Sequence, residues 1–360
     1  VKRTILPVGP QHPVLPEPLL LDLVLEDEKV VDAIPGIGYV HRGLESLVEH
    51  VEFLEYGTVA ERICGICSFM HGWGYCAAVE EVMGLQVPER AELLRVSWAE
   101  LSRVQSHLLW LGLAADALGF ENLFMHCWKL RERVLDIFER TTGGRIIHGA
   151  CKVGGVRRDV PNQALASIVT SLADLVRDMG LVERVFAQDR SVRHRLSGVG
   201  VLAREEALSL GTVGPMARAS GLPLDVRSTG HGAYGRLAWE PVVEQAGDCM
   251  ARCQVRLQEI PQSVDLIRQA VAAMPADGAP VDVKVKGTPT GEVFKRLEQP
   301  RGEVVYYLKG NGTKNLARFR ARTPTFANLP AMIKLVKGVQ LADVPTIILT
   351  IDPCISCTER

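Results

Sequence analysis

Two short cysteine pairs are the residues of this chain best suited to chemistry. Nine cysteines are present, and four of them fall into Cys64-Gly65-Ile66-Cys67 and Cys354-Ile355-Ser356-Cys357. A Cys-x-x-Cys pair can turn two sulfurs toward one ion, so two pairs together make a tetrathiolate set. Soft thiolate donors suit zinc and iron–sulfur clusters. Pairs that hold structural zinc usually lie about 15–20 residues apart and close a small domain. Here 286 residues lie between Cys67 and Cys354, in a chain of 360 residues large enough to need no zinc staple. A thioredoxin-like dithiol would need only one pair. Spacing alone points to metal or redox chemistry and does not choose the metal. The remaining cysteines, Cys76, Cys127, Cys151, Cys249 and Cys253, share no pattern and read as buried free thiols.

The elements that must bring the two pairs together come next. Hydrophobic residues make up 47% and charged residues 23%, which fits a globular protein with a sizeable core. The formal net charge of −1 does not favour a nucleic-acid partner, which calls for a clear positive excess. No stretch has the roughly 18 uncharged apolar residues of a membrane span, and the start lacks the apolar core of a signal peptide. A soluble, cytoplasmic chain is the expectation.

Leu19 to Leu25 and Val30 to Ala33 read as two short strands around Glu26-Asp27-Glu28-Lys29. From Glu89 to about Leu118, apolar residues recur at helical spacing. Residues 121–140 and 161–190 read as helices, as does much of 203–275, with glycine-rich breaks around Ser228 to Gly235. Val281 to Val285, Glu303 to Leu308 and Thr346 to Ile351 read as strands, with Gly310-Asn311-Gly312 as a turn. The expected fold class is α+β, mostly α. A central helical bundle is flanked by short strands from the N- and C-terminal segments. A single domain over 1–360 is expected, with 1–56 as N-terminal strands and loop, 57–275 as helical core and 276–360 as a C-terminal segment closing the metal site.

The string Arg62-Ile63-Cys64-Gly65-Ile66-Cys67 with His71, paired with Asp352-Pro353-Cys354-x-x-Cys357-x-x-Arg360, resembles the double signature of the nickel–iron hydrogenase large subunit. The resemblance implies that all four cysteines bind nickel. Cys64 and Cys354 would be terminal ligands, and Cys67 and Cys357 would bridge to an iron carrying carbon monoxide and cyanide. It implies reversible heterolytic cleavage of dihydrogen and reduction of protons. His71 would bond a bridging sulfur and draw charge from Cys67. Arg301, within Pro300-Arg301-Gly302, would lie over the open metal face and bond a cyanide nitrogen. Thr350 would offer a hydroxyl to the other cyanide, and Asp352 would stand beside the last pair. Glu17 falls where that family has its proton-transfer glutamate, and a partly desolvated carboxyl there could shuttle protons near neutral pH. The bland alternatives are a structural histidine, a turn arginine and a solvated acid.

Gly9-Pro10-Gln11-His12-Pro13, Tyr39-Val40-His41-Arg42-Gly43-Leu44-Glu45, Arg131-Glu132-Arg133 and Val153-Gly154-Gly155-Val156 are similar to the 49-kDa subunit of respiratory complex I. With four intact cysteines, the combination resembles the energy-converting, membrane-bound hydrogenases of the Ech and carbon-monoxide-linked types. The resemblance implies an iron–sulfur small subunit, other subunits of a membrane-bound hydrogenase complex, ferredoxin as electron partner, ion translocation by membrane subunits, and a peripheral place on the cytoplasmic side of the membrane. His12 and Glu45 are candidates for the proton path or a second metal. Uptake enzymes of the family have a final histidine that helps bind a magnesium-like ion. That position is Arg360 here, which puts the ion in question. The rival reading is a complex I-like quinone-site or scaffold subunit without hydrogenase activity.

Overall fold

In β2 (Leu20–Glu26) alternate residues point inward: Leu21, Leu23 and Leu25 are buried, and the residues between them are half-buried. That period of two lays the strand over the core with one face on it. β2 sits between β1 (Arg3–Val8) and β3 (Lys29–Gly36) in an antiparallel sheet of order β1-β2-β3. The computed structural model describes residues 3–12, 15 and 17–360.

The helical part begins with α1 (Tyr56–Glu61), α2 (Ser68–Met83), α3 (Glu89–Ala117) and α4 (Glu121–Thr142). α3 starts after Pro88 and carries Glu89 and Glu92 in its first turn, where acidic side chains complement the helix dipole. α4 ends on Gly143 with φ 87°, a left-handed cap open to glycine at little cost. The hairpin β4 (Cys151–Lys152) and β5 (Gly155–Val156) leads to α5 (Asn162–Asp178), α6 (Gly180–Gln188), α7 (Arg190–Leu196), α8 (Arg204–Ser209) and α9 (Pro215–Ala219). α10 (Cys249–Ala272) is capped by Asp248, which accepts from Ala251 N at 2.7 Å. A second antiparallel sheet, β6 (Thr290–Gln299), β7 (Gly302–Asn311) and β8 (Arg318–Arg322), precedes α11 (Pro324–Val336), α12 (Val344–Ile351) and α13 (Ile355–Thr358). α3 packs against α4 and α10, and β6 packs on α2. The fold class is the α+β, mostly helical one that the sequence implies.

Four local expectations need correction. Gly310 and Asn311 close β7, paired with Gly291 and Thr290, and are strand, not turn. Thr346 to Ile351 is helix, not strand. Pro345 lies in the first turn of α12, where its fixed φ suits a helix. The buried residues Ile347, Ile348 and Ile351 follow helical spacing, which a run apolar throughout conceals. Residues 281–285 are not a named strand; Asp282 makes a single bridge to Gly155. Residues 161–190 divide into α5 and α6 on either side of Met179. β1 and the ten-residue β6 had no sequence signal that singled them out.

Where α3, α9, α10 and β6 meet, the core is ionic. Arg218 reaches Glu298 at 2.7 Å and Glu259 at 2.8 Å. Arg227 reaches Asp225 at 2.7 Å and Glu100 at 3.2 Å, and His107 lies 2.7 Å from Glu259. All of these side chains are buried. Buried charges hold only when each has its partner. Arg218→Met is therefore expected to lower stability by about 3–5 kcal/mol, read as a fall in the denaturant midpoint. A loss below about 1 kcal/mol would place the network among pairs that exchange evenly for apolar packing.

Candidate metal centre

The two cysteine pairs meet. Cys64 and Cys67 lie on the stretch joining α1 to α2, and Cys354 and Cys357 flank the start of α13. Cys64 Sγ is 3.4 Å from Cys354 Sγ, and Cys67 Sγ is 3.4 Å from Cys357 Sγ. The sulfurs of Cys64, Cys354 and Cys357 all lie within 4.8 Å of one another. All four residues are buried.

Local chain geometry holds this arrangement. The Arg42 guanidinium donates to Arg62 O and Ile63 O at 2.9 Å each and to Ser356 O at 2.8 Å. One planar donor group thus ties the segment before Cys64 to the segment before Cys357. Cys354 N donates to Thr325 Oγ1 at 2.9 Å, and Thr323 Oγ1 donates to Cys357 O at 3.2 Å.

Four thiols this close cannot all ionise unaided. Hydrogen bonds from Cys354 and Cys357 hold the Cys64 thiol well below its ordinary value. Bonding to Cys354 pushes Cys67 well above, and burial does the same to Cys357. The set can carry several thiolates once a cation sits among them, because metal binding releases thiol protons. This donor chemistry fits a thiophilic ion. Four buried sulfurs converge, and a hydrogen-bonded apolar core has no use for such a cluster.

Arg301 sits in the turn between β6 and β7. Its Nε donates to Asp352 O at 3.0 Å and its Nη2 to Asp352 Oδ1 at 2.8 Å. Arg301 Nη1 and Asp352 Oδ2 are buried without a partner among the described residues. Burial opposes the Arg301 charge, but Asp352 and the cysteine sulfurs outweigh it and keep the group firmly protonated. Gly302 has φ 129°, and a Cβ there would lie 2.6 Å from Gly214 N. Two backbone stretches cross at that point, which requires glycine and fixes the turn that carries Arg301.

Glu17 Oε2 accepts from Ser356 N at 2.9 Å and from Ile355 N. It therefore lies on the backbone between the second pair of cysteines. Burial and the neighbouring Cys64 raise its carboxyl above the usual range, against the Ser356 N–H and Arg301.

His71 is placed differently from the expectation of a bond to Cys67. It follows Cys67 by one helical turn, with His71 N bonded to Cys67 O at 3.2 Å, yet its Nε2 lies 3.4 Å from Cys357 Sγ. Burial lowers its imidazole to about 4, so the ring is neutral near pH 7. Tyr306 OH lies 3.0 Å from His71 Nδ1. A Cβ at Gly74 would lie 2.0 Å from the Tyr306 ring, so only glycine lets that ring lie against α2.

Thr350 engages other groups. Its Oγ1 donates to Ile347 O at 2.9 Å and accepts from Arg252 Nε at 3.1 Å. His12 lines a cavity of about 210 Å³ with Leu6, Val8, Leu15, Leu23 and Ile348. Pro13 lies outside the described residues. Glu45 meets Arg360, Arg320 and the Ala321 N–H. Burial works to raise its carboxyl, but the Arg360 bond and the Ala321 N–H outweigh it and hold it below the ordinary value.

Sequence reasoning gave no role to Arg42, Thr323, Thr325 or Tyr306. Arg42 stood inside the quoted string 39–45, and Tyr306 had an available signal. Val304, Tyr306 and Leu308 alternate inward along β7, and a buried tyrosine hydroxyl needs a partner.

Residues 117–288 and 282–360 match the family described as respiratory-chain NADH dehydrogenase, 49 Kd subunit, and residues 42–115 match nickel-dependent hydrogenase. The chain belongs to the family that these two groups of oxidoreductase subunits form. It is 38% identical to the carbon monoxide-induced hydrogenase of Rhodospirillum rubrum, over 99% of each chain. It is 37% identical to a subunit of the F(420)H(2) dehydrogenase of Methanosarcina mazei, over 98% of this chain and 96% of that one. Among solved structures, the membrane-bound sulfane sulfur reductase, an archaeal respiratory membrane complex, matches with a TM-score of 0.94 and 31% identity, over 99% of this chain and 98% of that one. No helix among the described residues is long and apolar enough to cross a membrane.

Proposed function

We propose that the chain is the catalytic subunit of a nickel–iron hydrogenase, cleaving dihydrogen reversibly. The observation that carries this reading is the convergence of Cys64, Cys67, Cys354 and Cys357 in a buried cluster. The match to nickel-dependent hydrogenase across residues 42–115, which include the first pair, supports it. Cys64 and Cys354 would hold nickel, and Cys67 and Cys357 would hold nickel and iron together. When bound, a nickel–iron centre with carbon monoxide and cyanide on iron supplies an open coordination position that polarises dihydrogen.

The chain's own groups do the rest. Asp352 fixes the Arg301 guanidinium by two bonds and leaves Nη1 for an anionic diatomic ligand such as cyanide. His71 and Tyr306 form a bonded column ending at the Cys357 sulfur. With Nε2 protonated, that column draws charge from the sulfur. Glu17, buried and with its carboxyl raised above the ordinary range, takes up and releases the proton of each turnover. Electrons would leave through an iron–sulfur small subunit to ferredoxin. The whole chain, as one domain, would sit as a peripheral subunit on the cytoplasmic side of a membrane complex that moves ions.

The similarity to the F(420)H(2) dehydrogenase chain and to the sulfane sulfur reductase favours a second reading, an electron-transfer scaffold without hydrogenase activity. Metal analysis and infrared spectroscopy of the purified complex separate the two. Nickel with iron, and bands of iron-bound carbon monoxide and cyanide, are expected. A complex without nickel and without those bands favours the scaffold.

Arg301→Lys keeps the charge but loses the planar fork. We expect intact metals and dihydrogen turnover lowered at least ~10-fold, the scale of one positioned charge-assisted bond. Turnover within about twofold of wild type, small on that scale, would assign Arg301 to the turn alone.

A further inference from the structure

Glu45 aligns with a ligand of the magnesium-like ion that the family resemblance implies, and its surroundings do not fit such an ion. Its Oε1 accepts from Arg360 Nε at 2.6 Å and from Ala321 N at 2.9 Å, and its Oε2 accepts from Arg320 Nη1 at 2.6 Å. Arg360 also donates through Nη1 to Thr358 O at 2.9 Å and Cys357 O at 3.4 Å. The Arg360 and Glu45 side chains are only 15% and 11% exposed.

We propose that the Arg360 guanidinium takes the place of the magnesium-like ion, so that Glu45 serves a fixed organic cation and holds no third metal ion. Magnesium requires hard oxygen donors in near-octahedral array. Both oxygens of the Glu45 carboxylate are taken by Arg360, Arg320 and the Ala321 N–H, and the carbonyls of residues 357 and 358 by Arg360. A divalent ion among them would also face a positive group that cannot lose its proton. The substitution is chemically apt, because a planar fork can hold a carboxylate on one side and carbonyls on the other. It does for the Cys357 segment what an ion would do, joining it to the loop that carries Glu45. Unlike an ion, it cannot be chelated or exchanged.

The test uses the purified complex. Magnesium, calcium, manganese and zinc are counted per chain, and thermal midpoints are compared with and without EDTA for wild type, Glu45→Gln and Arg360→Ala. We expect no such ion that depends on Glu45, no EDTA response that depends on Glu45, and a midpoint lowered by several degrees in Arg360→Ala. One equivalent of any of these ions that disappears in Glu45→Gln overturns the proposal. So does an EDTA response that Glu45→Gln abolishes, or an Arg360→Ala midpoint equal to wild type. An ion or response that persists in Glu45→Gln lies elsewhere in the complex and leaves the proposal standing. Should Arg360→Ala fail to accumulate, the ion count in wild type and Glu45→Gln decides. The inference borrows from the nickel–iron reading only the identity of the missing ion. A complex lacking nickel as well would sink that reading and spare this one.

Discussion

Serine in place of Cys64 or Cys354 is expected to remove nickel and dihydrogen turnover together. The two sulfurs stand 3.4 Å apart in the buried cluster. A hydroxyl is harder and far less acidic than a thiol, so it makes a poor donor to a soft, redox-active ion. The exchange changes one atom, and loss of nickel is therefore separable from loss of fold. Cys127→Ser is the control, since Cys127 is a buried thiol on α4 outside the cluster. It should keep its nickel. The measurements are nickel per chain and turnover per chain for each variant. Full activity in Cys64→Ser or Cys354→Ser would exclude the sulfur cluster as the reaction site.

Glu17→Gln should keep its metals and lose the proton step. Glutamine retains the carbonyl oxygen that accepts from Ile355 N and Ser356 N, so the backbone between the second pair keeps its anchor. It cannot take up or release a proton near neutral pH. Positioned general acid–base groups contribute about 10²–10⁴-fold. We therefore expect dihydrogen oxidation, proton reduction and hydrogen–deuterium exchange per nickel to fall by at least ~100-fold, with unchanged infrared bands. The exchange assay is the decisive one because it needs no electron acceptor. Because the Glu17 carboxyl is raised in the folded chain, its protonated form is favoured there. Its contribution to stability is present below the ordinary carboxylate range and lost as pH rises through the raised value. Glu17→Gln should flatten that part of the stability–pH curve. Exchange at the wild-type rate would move the shuttle to another group.

Sequence disclosed what is local. Each cysteine pair fits within four residues, so its type and spacing can be read directly, and β2 shows its inward face by alternation. Partners far apart in the chain were out of reach. Arg301 and Asp352 are 51 positions apart, and no periodicity links them. His71 shows the limit most clearly. Helical geometry places it one turn from Cys67, and only the packing of Tyr306 from β7 and the approach of α13 direct its Nε2 to Cys357. α12 was misread because an unbroken apolar run has no period to read.

The sulfur partners Cys64 and Cys354 lie 290 positions apart along the chain, as do Cys67 and Cys357. Joining the ends of a flexible loop that long costs about 5 kcal/mol in closure entropy. Contacts of such separation form late in folding, once intervening elements have shortened the effective loop. The cluster is therefore a reporter on whether the elements between the two pairs have folded. An ion bridging both pairs would act as a cross-link, so a chain caught before such a bridge formed should have its last turns open to proteases, and a bridged chain should have them shut.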